Sequence, residues 1–104
     1  MGIIENLENM LAQGRDDALL RYSLGSAYLS AGDAEHAVEH LAKAVRQQPD
    51  YSAAWKHYGK ALATIGRKED AAAVYRQGIS AAEARGDLQA AREMRVFLRR
   101  LERG

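Results

Sequence analysis

Apolar residues recur at intervals of three and four along nearly the whole chain, the spacing that gathers them on one side of an α-helix. Ile3, Leu7, Met10 and Leu11 form the first such stripe, and Gly14 ends it. Asp16 or Asp17 can cap a second helix that runs to about Ala31. After a Gly32-Asp33 turn, a third helix, capped by Asp33, carries Ala37, Leu41, Ala44 and Val45 on one face and reaches about Gln47. Pro49 breaks the chain there, because a proline disfavours helical backbone in the residue before it. A fourth helix spans about Ser52 to Ile65, and Gly66 suits the left-handed position just past its end. A fifth covers about Lys68 to Ala84, with Ala71, Val74, Tyr75, Gly78 and Ile79 inward. Beyond a Gly86-Asp87 turn, Leu88, Ala91, Met94, Phe97, Leu98 and Leu101 mark a sixth. No stretch alternates apolar and polar residues for long enough to predict a strand. The connections are short, so successive helices must be antiparallel neighbours.

The pattern repeats. Gly25 and Gly59, Gly32 and Gly66, Glu35 and Glu69, Ala37 and Ala71, Leu41 and Tyr75, Ala44 and Gly78, and Val45 and Ile79 are all 34 residues apart. A period of that size means stacked helix pairs, each too small to bury its own apolar face. The predicted fold is an all-α solenoid of about six helices in antiparallel pairs. The chain is read as one domain over residues 1–104. It divides into an N-terminal helix (1–15), a first repeat (18–51), a second repeat (52–85) and a C-terminal capping helix (86–104).

The repeated segments resemble the tetratricopeptide repeat, a helix–turn–helix unit of 34 residues with a Trp-x-x-Leu-Gly-x-x-Tyr first helix followed by Ala-x-x-x-Phe and Pro. The first copy reads Arg21-x-x-Leu24-Gly25-x-x-Tyr28, then Ala37-x-x-x-Leu41, Ala44 and Pro49; it departs at Arg21, where the aromatic residue is missing. The second reads Trp55-x-x-Tyr58-Gly59-x-x-Leu62, then Ala71-x-x-x-Tyr75 and Gly78; it departs at Glu83, where proline would stand. Small residues (Gly25, Gly59, Ala37, Ala71) fall where helices approach closely, and large ones (Tyr28, Leu41, Trp55, Tyr75) where space must be filled. Ile3, Leu7 and Met10 lie one period before Ala37, Leu41 and Ala44, so the first helix reads as the second half of an absent earlier repeat. The last helix has Arg92-Glu93 where the Leu-Gly pair would be, and reads as a cap with Arg92, Arg95, Arg99 and Arg103 facing water.

The resemblance implies a right-handed solenoid and a protein–protein interaction module rather than an enzyme, binding a short peptide or helix in a concave groove lined by the first helices of the repeats. Counted from the motif, the groove residues are Leu19, Tyr22, Ser26, Leu29 and Ser30 from the first copy and Lys56, Lys60 and Thr64 from the second. Lys56 and Lys60, an i,i+4 pair on one face beside the Tyr22 phenol, would suit a carboxylate or an acidic peptide. The two-carboxylate clamp of chaperone-binding members is not expected, since Tyr22, Ser26 and His57 stand where Lys and Asn would be needed.

Composition narrows the picture further. Residues 1–50 hold 4 Lys/Arg and 8 Asp/Glu, a net of −4, and residues 51–104 hold 11 and 6, a net of +5. Opposite signs on the two halves raise an alternative role, a self-assembling unit that forms homo-oligomers through its terminal helices. The chain has no cysteine, which rules out disulfides and thiolate metal sites and fits a reducing, cytoplasmic setting. No signal peptide and no membrane span is read. His36-Ala37-Val38-Glu39-His40 matches an inverted zinc-protease pattern. With Ala37 and Leu41 on the packed face, both histidines are expected on the outer side without a third ligand, so no metal or other cofactor is predicted. Glu93 and Glu102 interrupt the arginines of the last helix, which argues for a solvated cap rather than a nucleic-acid surface.

Overall fold

A computed structural model describes residues 2–104. Six helices follow one another: α1 (Ile3–Ala12), α2 (Ala18–Ser30), α3 (Ala34–Gln47), α4 (Ser52–Thr64), α5 (Lys68–Arg85) and α6 (Leu88–Glu102). They are the six that the apolar spacing predicts. Aspartates start three of them. Asp17, Asp33 and Asp87 accept hydrogen bonds from the backbone N–H groups of Leu20, His36 and Ala90, satisfying donors that a helix start otherwise leaves unpaired. Asp17 is thus the cap of α2, and Asp16 is released for another task. Gly86, at φ 85°, closes α5 in the left-handed conformation, and within two residues Asp87 opens α6. The Gly86-Asp87 turn of the sequence is thus the junction between α5 and α6.

The helices pack as antiparallel pairs, α2 with α3 and α4 with α5, while α3 meets α4 and α5 meets α6. The backbone of α4 also lies against that of α2 on one side and that of α6 on the other, whereas the backbones of α3 and α5 stay apart. Helices spaced closely on one side and widely on the other make the array bend toward the close side. The layer of α2, α4 and α6 is accordingly the concave one.

The second helix of each pair is held close by glycine. A Cβ on Gly25 would fall 2.6 Å from Leu41 Cδ2, and one on Gly59 would fall 2.6 Å from Tyr75 Cδ1. Gly78 does the same for the next contact, where an added Cβ would lie 2.6 Å from Met94 Sδ and 2.7 Å from Trp55 Cβ. The largest apolar cluster lies among α4, α5 and α6 and contains Leu62, Ala71, Val74, Tyr75, Ala82, Ala90, Ala91 and Met94. Trp55 is half-buried, packs against two clusters, and donates its indole N–H to the Pro49 carbonyl at 2.7 Å.

α6 sits two residues later than the 34-residue period implies. The inward places of Leu20, Arg21 and Leu24, all buried in α2, are taken in α4 by the buried Ala54 and the half-buried Trp55 and Tyr58, and in α6 by the buried Ala90, Ala91 and Met94. In that register the glycine place of α2 and α4 falls to Arg95, not to Glu93. Arg95 is half-buried and bonded to Glu83 of α5, so of the four arginines expected to face water only Arg92, Arg99 and Arg103 are exposed. Where α2 and α4 carry the glycines that lie against Leu41 and Tyr75, α6 thus carries an arginine.

Candidate binding face

On the concave layer the side chains form an aromatic and charged strip. Tyr22 of α2 lies with its ring 5.0 Å from that of Tyr51 and 5.2 Å from the imidazole of His57, edge to face with the latter. His57 Nδ1 lies 2.9 Å from the Ala53 carbonyl. A carbonyl only accepts, so Nδ1 carries the proton and Nε2 is a bare acceptor. Burial lowers the His57 pKa and keeps the ring neutral. Next to it, Lys56 Nζ reaches across to Glu93 Oε1 of α6 at 3.2 Å. Lys56, His57, Lys60, Glu93 and Phe97 enclose a recess of about 270 Å³.

The eight residues assigned to a groove from the sequence fall in different settings. Tyr22 and Lys56 are half-buried on the strip, and Lys60 is exposed beside them. Ser26 is half-buried and Ser30 exposed on α2. Leu19 is 57% exposed at the start of that helix. Leu29 packs instead against the cluster of Ala34, Ala37, Leu41 and Ala61. Thr64 turns its hydroxyl back onto the Lys60 carbonyl at 2.8 Å and borders the α2–α3 turn. The two lysines are not equivalent: Lys56 is engaged by Glu93, which leaves Lys60 as the cation facing outward. Glu93 and Phe97 escape a count by 34, because the two-residue slip of α6 is what sets Glu93 in the place of His57.

The opposite side of α2 holds a polar network, and here an expectation is corrected. His36 is exposed, but His40 is buried, at 7% exposure. It does not face solvent, because its imidazole fills the space between Arg21 and Tyr28. Arg21, in the slot an aromatic residue would occupy, is likewise 7% exposed. Its Nε and one terminal nitrogen each donate to the two oxygens of Asp16 at 2.7 Å, and its other terminal nitrogen donates to His40 Nδ1 at 3.1 Å. Asp16 also accepts from Gln47 Nε2 at 2.9 Å. These donors hold its carboxyl well below the usual carboxylate range, Arg21 first. Since arginine can only donate, His40 Nδ1 is the acceptor, and Nε2–H points toward Glu8 at 4.0 Å. Burial depresses the His40 pKa. Tyr28 stacks on both His36 and His40 and donates its hydroxyl to Glu8 at 2.6 Å, which pushes its pKa up to about 12. The His-x-x-Glu-His segment thus uses its imidazoles for packing on Tyr28 and for the bond from Arg21. Among the described residues no group of three or more His, Asp or Glu could hold a metal, and no helix is long and apolar enough to cross a membrane.

Comparison with known proteins matches the chain to the tetratricopeptide repeat model over residues 4–51 and 22–84. It is 54% identical over 101 residues to a TPR repeat-containing protein of Pseudomonas aeruginosa, covering 97% of this chain and 96% of that one. Its fold is similar to the solution structure of a Bordetella parapertussis protein, with a TM-score of 0.85 and 45% identity over 99% of this chain and 90% of that one. A tetratricopeptide repeat domain protein of Salinibacter ruber superposes with a TM-score of 0.77 at 29% identity, over 84% of this chain and 97% of that one.

Proposed function

The chain belongs to the tetratricopeptide repeat family, and we propose that it works as an interaction module whose concave face takes a short acidic peptide or helix across α2, α4 and α6. Proteins of this fold generally mediate protein–protein contacts and are generally non-enzymatic scaffolds. The observation that carries the reading is the recess of about 270 Å³ between α4 and α6. It combines an outward cation (Lys60), a neutral acceptor (His57 Nε2) and an aromatic wall (Phe97). A partner carboxylate pairs with Lys60, a partner N–H or hydroxyl donates to His57, and an apolar side chain covers Phe97. Tyr22, Ser26 and Leu19 extend the face along α2, with Ser30 and Thr64 at its far edge. Lys56 joins the ligand only by leaving Glu93, so its contribution is smaller than that of Lys60.

The test is a peptide array probed with the wild-type chain and with Lys60→Glu and Lys56→Glu variants. Lys60→Glu is expected to abolish capture of the acidic peptides, and Lys56→Glu to weaken it less. Unchanged capture by the Lys60→Glu variant would refute the assignment.

A further inference from the structure

We propose that α1 is an exchangeable helix, docking on α2 and α3 of its own chain or, in the same position, on those of a second copy. α1 lies away from the recess between α4 and α6, and it is lightly held. Among the described residues α1 buries no side chain, whereas each of the other five helices buries at least three. Its backbone neighbours α2 alone. Ile4, Leu7, Met10 and Leu11 are only partly covered, and Ile3 is 66% exposed.

Besides that partly covered apolar edge, α1 is held by a polar clasp on a single carboxylate, Glu8, which accepts from Tyr28 at 2.6 Å and lies 4.0 Å from His40 Nε2. The receiving side does not depend on α1. Tyr28 is stacked between His36 and His40, His40 is bonded by Arg21, and Arg21 is bonded by Asp16. When α1 leaves, the site that recognises Glu8 remains assembled.

The occupant that fits this site is the α1 of another copy, because it brings the same Glu8 and the same apolar edge as the resident helix. The exchange makes no new kind of contact and changes only the strap of residues 13–17. That strap is folded in the closed form: the Gln13, Gly14 and Arg15 N–H groups bond back to Asn9, Leu11 and Met10, and Gly14 takes a φ of 103°. Opened, five residues reach at most ~17 Å. A shared terminal helix of this kind is a low-cost route to a dimer.

Gly14 supplies a clean variant. A Cβ there would meet nothing within 4 Å, so alanine collides with nothing, yet the left-handed backbone of the closed turn disfavours it. A penalty near the lower end for left-handed residues corresponds to about fivefold per turn. Two turns open in an exchanged dimer, so Gly14→Ala should raise the dimerisation constant roughly 25-fold in sedimentation equilibrium. In an equal mixture of isotope-labelled and unlabelled wild-type protein at millimolar concentration, isotope-filtered spectra should show nuclear Overhauser effects between Glu8 of one copy and the Tyr28 ring of another. These signals should strengthen in the alanine variant. Monomers at every concentration in both proteins would overturn the proposal, and so would a dimer without the Glu8–Tyr28 signal between copies.

Discussion

Replacing Gly59 by alanine puts a methyl group where the ring of Tyr75 already is. The added carbon would lie 2.6 Å from Cδ1 and 2.7 Å from Cζ, against the ~3.5–4.0 Å that carbon atoms prefer. The ring must withdraw by about 1 Å, which disturbs its packing on Phe97. Tyr75 is 2% exposed, and its ring centroid is 5.8 Å from that of Phe97. Overpacking of this kind costs about 1–3 kcal/mol. Alanine returns up to ~1 kcal/mol because glycine is the poorer helix former. The net expectation is a loss of ~1–2 kcal/mol, or a Tm lower by about 5–15 °C for a domain of this size. Urea unfolding followed by circular dichroism measures it, with an unchanged m-value as the sign that only stability has moved. The cause is isolated by repeating the substitution in a Tyr75→Val background. There the methyl has room, and Gly59→Ala should become neutral or stabilising, giving a coupling of ~1–3 kcal/mol between the two sites. A Gly59→Ala protein as stable as the parent would refute the close-approach argument. So would an equal penalty in the valine background.

Two further predictions concern the network behind α2. Asp16→Asn should lower stability at neutral pH, and the difference from the parent should shrink as pH falls through the carboxylate range. The Asp16 pKa is depressed in the folded chain, so its contribution is present in full above the ordinary value of 3.8 and is lost as pH falls below it; thermal melts from about pH 6 down to about pH 2 follow it, and a constant difference would contradict the Arg21–Asp16 pairing. Tyr28 carries the opposite sign. Its pKa is raised to about 12, so the bond to Glu8 contributes stability below pH 10 that is lost as pH rises toward 12; in thermal melts the advantage of the parent over Tyr28→Phe should shrink across that interval, and an identical alkaline response in both proteins would sink the clasp.

The helices were legible because nothing in the chain competes with them: the apolar spacing, the aspartate caps and the glycine stops all agree. What the sequence hid lies where a residue's partner is far along the chain. Arg21 looks like a gap in a motif when counted by periodicity. It becomes a core residue only once Asp16, five positions before it, and His40, nineteen after it, are brought alongside. His40 was readable in principle. Ala37, His40, Leu41 and Ala44 all lie within one broad helical stripe, and a narrow choice of Ala37 and Leu41 leaves the histidine outside it. The recess residues Glu93 and Phe97 were hidden by arithmetic, since a count by 34 misses the extra two residues that bring α6 into register.

The two ends of the stack differ in kind, and the difference explains where a rigid binding face can stand. At the C-terminal end, α6 buries Ala90, Ala91 and Met94 in the largest apolar cluster and sets Arg95 in the place of a glycine. Lys56–Glu93 then bridges α4 and α6, and Phe97, which lines the same recess, packs on Tyr75 of that cluster. At the N-terminal end, α1 only partly covers its apolar edge and is clasped through Glu8. Local opening begins where few apolar contacts are lost, so it begins at α1 and leaves the recess intact. A chain that exchanges its first helix therefore keeps its recess, and Gly14→Ala should shift association while peptide capture at Lys60 stays unchanged.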